Sequence, residues 1–145
     1  MKSAVIYDTS FGNTKKIAEV IARELGDGAA AVPVSDFEIA SLDNIKLLVV
    51  GSPIIAWKPS ERMAGFLAKL TPGHLIGKKA AAFDTRVKLF IHGDAVLKIT
   101  EALKNAGAEM AANPEVFFVH GKQGPLYKGE IEKAVQWARL IKSIV

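Results

Sequence analysis

From residue 45 to residue 50 the chain reads IKLLVV, a run with almost no alternation of apolar and polar side chains. Successive side chains of a strand point to opposite faces, so a strand with one wet face alternates. A run that does not alternate belongs to a strand covered on both faces, the condition met where helices sandwich a parallel sheet. The rest of the chain supplies the parts for such a sheet. Residues 3–7, 30–34, 79–83 and 116–119 are further short apolar, strand-like runs, the second placed at an edge by Pro33. Between them, residues 14–25, 60–70, 95–105 and 129–144 carry apolar side chains at helical spacing. Residues 37–44 hold at most a short helix. Strands that alternate with helices predict an α/β chain with an open, doubly wound parallel sheet. With 145 residues, one domain over residues 1–145 is expected.

Alanine makes up 21 of the 145 residues, which favours close packing of helices on a sheet. The absence of cysteine excludes disulfides, cysteine-held iron–sulfur clusters and thiol nucleophiles. The N-terminus lacks the roughly 7–15 apolar residues of a secretory core. No run reaches the roughly 18 of a membrane span. A soluble, cytoplasmic protein without membrane insertion is the expectation. Nineteen Lys and Arg against fifteen Asp and Glu give a net charge of +4, spread along the chain rather than gathered. Nucleic-acid binding calls for a clustered basic stripe, so no nucleic-acid partner is expected.

Ligands of such sheets sit beyond the carboxyl ends of the strands. The loops that matter are therefore residues 8–13, 51–59, 84–94 and 120–128. The first reads DTSFGNT through Thr14, with three hydroxyls, an amide and a glycine at the start of a helix. Helix N-termini present unpaired N–H groups and partial positive charge, which suits a phosphate. The plainer alternative is a helix cap by Asn13 or Thr14. No G-x-G-x-x-G or G-x-x-x-x-G-K-[ST] occurs, which argues against dinucleotide and nucleoside triphosphate sites. A phospho-acceptor domain of this topology needs a carboxylate ending the third strand, where Gly51-Ser52-Pro53 stands. His74, His92 and His120 fall in separate loops without metal-ligand spacing, and no nucleophile motif is present.

The segment TSFGNT with the helix KKIAEVIA resembles the phosphate-binding loop of flavodoxins. LLVVGSPIIAWKPS resembles their second cofactor loop and AAAFDTR their third. FFVHGKQGPLYKGEIEKAVQWAR resembles the C-terminal segment of small flavodoxin-domain proteins. Residues 107–128 leave no room for the insertion of long-chain members, so the likeness is to the short-chain kind. The resemblance implies a flavodoxin-like five-stranded sheet of order 2-1-3-4-5 and FMN as cofactor. It places Thr9, Ser10, Gly12, Asn13 and Thr14 on the phosphate, with Phe11 in the same loop. Pro53, Ile54, Ile55, Ala56 and Trp57 would line one side of the isoalloxazine, with Trp57 as the stacking side chain. Asp84, Thr85 and Arg86 would line the other, while Trp137 is expected to pack in the core.

Three departures from the family accompany the resemblance. The third loop lacks an aromatic residue except Phe90, which comes late. The second loop has no glycine between Gly51 and Gly65, where the family often turns a peptide over on reduction. At a non-glycine residue, positive φ costs about 1–2 kcal/mol. Flavodoxins are usually acidic, whereas here Lys58, Arg62, Arg86 and Lys88 lie in or beside the ring loops, opposed by Glu61 and Asp84. Such a rim is expected to raise the potential of the reduced flavin, unless Arg86 turns to solvent or pairs with Asp84. The leading function is electron transfer between redox partner proteins. The alternatives are a small FMN-dependent NAD(P)H or quinone reductase, and a non-redox binding module on the same fold.

Overall fold

Leu47 and Val49 are buried in one hydrophobic core and Leu48 and Val50 in a second, on opposite faces of the same strand. That two-sided burial is why the run shows no alternation. The structure, a computed structural model, describes residues 2–26, 28–55, 57–88 and 94–145. In chain order the elements are β1 (Ser3–Tyr7), α1 (Asn13–Leu25), β2 (Ala30–Pro33), two 3-10 turns (Val34–Asp36 and Ile39–Asn44), β3 (Leu47–Ile55) and β4 (Lys58–Pro59). There follow α2 (Glu61–Ala68), β5 (Lys79–Val87), α3 (Val96–Asn105), β6 (Glu109–Met110), β7 (Glu115–Val119) and α4 (Glu130–Ile144).

The strands lie in the order β2-β1-β3-β5, with β6 and β7 both on the far side of β5. All these pairings are parallel, in a register that sets Val5 beside Val49 and Val49 beside Ala81. The expected order 2-1-3-4-5 is present, with the fifth strand in two pieces. β6 pairs with Lys79 and Ala80, and β7 with the stretch from Phe83 to Val87.

Helices α1 and α4 cover one face, where Ile17, Ile21, Trp137 and Ile141 meet Val5, Val49, Phe83 and Phe117. On the other face Met63, Phe66, Ile99 and Leu103 of α2 and α3 meet Ile6, Leu48, Val50 and Ala82. Phe83, Phe117 and Trp137 form an edge-to-face trio with centroids 5.8 to 6.2 Å apart. Gly51 is needed above it, because a Cβ there would fall 2.0 Å from the Phe83 ring. Trp137 is thus a packing residue, and its Nε1–H donates to the Asn113 carbonyl at 3.1 Å. Ser60 caps α2 by accepting from the Met63 N–H at 3.3 Å.

Two strands run past their expected ends, β3 to Ile55 and β5 to Val87. β3 continues through Gly51-Ser52-Pro53 to Ile55, because Ser52 still pairs beside Asp84 and Pro53 beside Thr85. It then turns back into β4, with Ile55 opposite Lys58 and Ile54 opposite Pro59. The segment between β2 and β3 forms 3-10 turns rather than an α-helix. Among the described residues, no helix is long and apolar enough to cross a membrane.

Candidate functional site

At the carboxyl ends of β1, β3, β5 and β7 lies a cavity of about 610 Å³. Pockets for small molecules and cofactors run from about 300 to 1,000 Å³. Its first wall is the β1–α1 loop. Gly12 takes φ +91° directly before α1, where a Cβ would meet nothing within 4 Å. The glycine there serves the backbone turn and not the space. No side chain caps α1, so the helix-cap alternative for Asn13 or Thr14 does not hold. Both side chains are engaged elsewhere. The Asn13 Nδ2 donates to the Gln123 carbonyl at 3.2 Å, tying the helix start to the 120–128 loop. The hydroxyls of Thr14 and Thr85 lie 2.8 Å apart, joining the first loop to the third. Thr9 folds inward, its Oγ1 accepting from the Gly12 N–H at 2.9 Å. The first-turn N–H groups of α1 are left for a ligand or water, beside the lining residues Thr9, Ser10, Phe11, Asn13 and Thr14.

The second wall is the end of β3 with its hairpin: Pro53, Ile54, Ile55 and Trp57. Ala56 lies outside the described residues. Trp57 has φ +73°, the one described non-glycine residue with positive φ. A tight two-residue hairpin demands this sign of φ, and no glycine is available to supply it. Its carbonyl accepts from the Asp94 N–H at 3.1 Å, which holds the hairpin against the far end of the third loop.

The third wall holds Thr85, Arg86 and Val87. Asp84, expected beside them, does not line the cavity. It is wholly buried, and its carboxylate takes both Arg86 Nε at 2.9 Å and Nη2 at 2.6 Å, with the Val96 N–H at 3.0 Å. Burial pushes the Asp84 carboxyl up from the usual range, against the pull of Arg86 and of the Val96 N–H. Burial works to lower the Arg86 guanidinium, but hydrogen bonding and charge from Asp84, with Asp94 at 3.6 Å, leave it raised. Arg62 likewise spans Asp8, with Nε at 3.0 and 3.1 Å from its two oxygens. Two of the four cations expected to charge the rim are therefore balanced by carboxylates; Lys58 and Lys88 remain exposed. Phe90 and His92 lie outside the described residues.

The reading of the sequence missed Val87, Val119 and Lys122, which complete the lining. The last two belong to the end of β7 and the loop after it, a place the topology already marked. Nearby, His120 stacks on Tyr127 at 3.9 Å, and Lys88 Nζ lies 5.3 Å from the Tyr127 and Phe118 rings.

A family model described as "Flavodoxin domain" matches residues 4–117. The anaerobic nitric oxide reductase flavorubredoxin of Vibrio vulnificus is 30% identical over 116 residues, covering 74% of this chain and 23% of that protein. A flavodoxin of Synechocystis is 34% identical over 88 residues, covering 57% of this chain and 50% of that protein. The chain thus spans about a quarter to a half of the length of these curated relatives. The crystal structure of oxidised flavodoxin 1 from Bacillus cereus superposes with a TM-score of 0.86 at 20% identity, covering 100% of this chain and 99% of that one. At that identity the likeness speaks for the fold.

Proposed function

This chain belongs to the flavodoxin domain family, a family of FMN-binding electron-transfer domains, and we propose that it holds FMN in this cavity and passes electrons between redox partner proteins. The observation that carries the reading is the uncapped start of α1, opening on a hydroxyl-lined wall of the cavity. A phosphate dianion meets there the backbone N–H groups that no side chain takes, in the partial positive field of the helix. Ser10 and Thr9 stand beside it, while Gly12 provides the turn. The residues present fit the cofactor: a polar first wall, a mostly apolar second wall and room between them.

In this reading Ile54, Ile55 and Trp57 cover one face of the ring system, Trp57 offering the largest flat surface. Thr85, Arg86 and Val87 face it from β5. Arg86 is held by Asp84 and Asp94, so it contributes a fixed donor surface more than a net charge. Bound FMN supplies the one- and two-electron chemistry, and the chain binds it, orients it and limits water at its faces. Lys122 adds a cation at the mouth.

The test is a titration of the purified protein with FMN and with riboflavin, followed by absorbance. Two charge-assisted hydrogen bonds to the phosphate are together worth about 3 kcal/mol, so FMN should bind about 100-fold tighter. Equal affinities would overturn the assignment of the first loop. Rapid steady-state oxidation of NAD(P)H by the loaded protein would instead favour a reductase.

A further inference from the structure

Eight large apolar side chains stand exposed among the described residues, and three of them, Phe11, Ile55 and Trp57, line this one cavity. They are 48, 45 and 59% exposed. Apolar side chains scattered singly over a surface need no explanation, whereas a cluster rimmed by polar groups marks an interaction surface. The exposed charges beside it are mainly of one sign. Lys58 sits opposite Ile55 in the hairpin, Lys88 follows the lining residue Val87, and Lys122 lines the cavity itself; all three are exposed. The carboxylates nearby are mostly spoken for. Asp8 is bound by Arg62, and Asp84 and Asp94 by Arg86. Glu61, in the first turn of α2, is the exposed exception.

We propose that this apolar mouth with its lysine collar is the docking face for an acidic protein, the redox partner of this chain. The proposal rests on the FMN reading, since docking there matters to electron transfer only if the flavin lies in the cavity. Charge complementarity decides the occupant. An acidic patch gains from three lysines around an apolar centre, whereas a second copy of this chain would set lysine against lysine. In the FMN reading the ring covers part of Ile55 and Trp57, so the partner would meet the open side of the cavity, Phe11 and the lysine collar.

The test uses the FMN-loaded protein with two probes of opposite surface charge, an acidic plant-type ferredoxin and the basic mitochondrial cytochrome c. Equilibrium binding is measured at low and high salt, and carbodiimide cross-links between lysines and carboxylates are mapped by mass spectrometry. The ferredoxin should bind about tenfold or more tighter than cytochrome c at low salt, with the preference collapsing as salt rises. Its cross-links should fall on Lys58, Lys88 or Lys122. The double variant Lys58→Glu/Lys88→Glu, which leaves Lys122 in the cavity wall untouched, should reverse the preference. Cytochrome c binding as tightly as the ferredoxin, cross-links elsewhere, or a preference unmoved by the double variant would overturn the proposal. So would dimerisation through this face, or attachment to phosphatidylglycerol vesicles without ferredoxin binding. Uptake of FMN with no charge preference overturns the docking proposal alone; failure to take up FMN overturns the cofactor reading and this proposal with it.

Discussion

The two ends of the cavity are built in opposite ways. The end formed by the first loop is local: six consecutive residues, Thr9 to Thr14, place their hydroxyls and backbone groups on one turn. The end formed by the second and third loops is assembled from afar. Trp57 is fixed by Asp94, Asp84 holds the start of α3 as well as its near neighbour Arg86, and Val119 and Lys122 arrive from the end of β7 and the loop after it. A local cradle depends on the conformations its own residues can adopt. An assembled wall depends on ties between segments distant in sequence, and its failure spreads to whatever those ties hold. Thr14 and Thr85 bridge the two, at 2.8 Å between hydroxyls.

Removing a tie should therefore cost most. Asp84→Ala leaves the nearly buried Arg86 without its main carboxylate and the Val96 N–H without an acceptor. Breaking such a pair from one side should cost about 3 kcal/mol, read as a fall in the urea midpoint of the apoprotein. A loss below about 1 kcal/mol would mean that the third loop is held by something other than this pair. The cradle should respond differently. Gly12→Ala meets no steric neighbour, so its cost is the positive φ alone, about 1–2 kcal/mol. If the phosphate end is local, FMN affinity falls while riboflavin affinity stays put, and a parallel loss of both would erase the distinction. The smallest effect is expected at the bridge. Thr14→Val keeps the shape and loses the contact to Thr85, for about 1 kcal/mol in an unfolding titration. Restoration of stability by adding Thr85→Val to that variant would confirm that the unpartnered hydroxyl was the cause.

The same contrast explains what could be read from the sequence. The local end was legible, because a donor-rich loop after a strand and before a helix carries its chemistry in consecutive letters. So was the sheet, from the unbroken 45–50 run, and the Ser60 cap. The assembled end was not. Gly51-Ser52-Pro53 looks like a turn, and only pairing with Asp84 and Thr85 on β5 keeps it a strand. Asp84 looks like a ligand contact; its pairing with Arg86 two residues on was open from the sequence, whereas its complete burial and its bond to the Val96 N–H were not. Trp57 adopts a backbone conformation that local preference would give to glycine, since the hairpin and the Asp94 N–H impose it. Lys122 stands in a loop that topology pointed to and Val119 ends the strand before it, although no motif singled either out.

The placement of the two tryptophans has an optical consequence. Trp57 stands 59% exposed on the cavity wall, whereas Trp137 is 5% exposed in the trio beneath Gly51. Their emission therefore divides by colour as well as by position: a red, solvent-relaxed component from the mouth and a blue one from the interior. A flavin seated against Trp57, as proposed, would take up the first component most strongly, while the second would shift when α4 leaves the sheet. Unlabelled, the chain thus carries one intrinsic fluorophore for occupancy and another for integrity, and a single emission spectrum can tell an empty protein from an unfolded one.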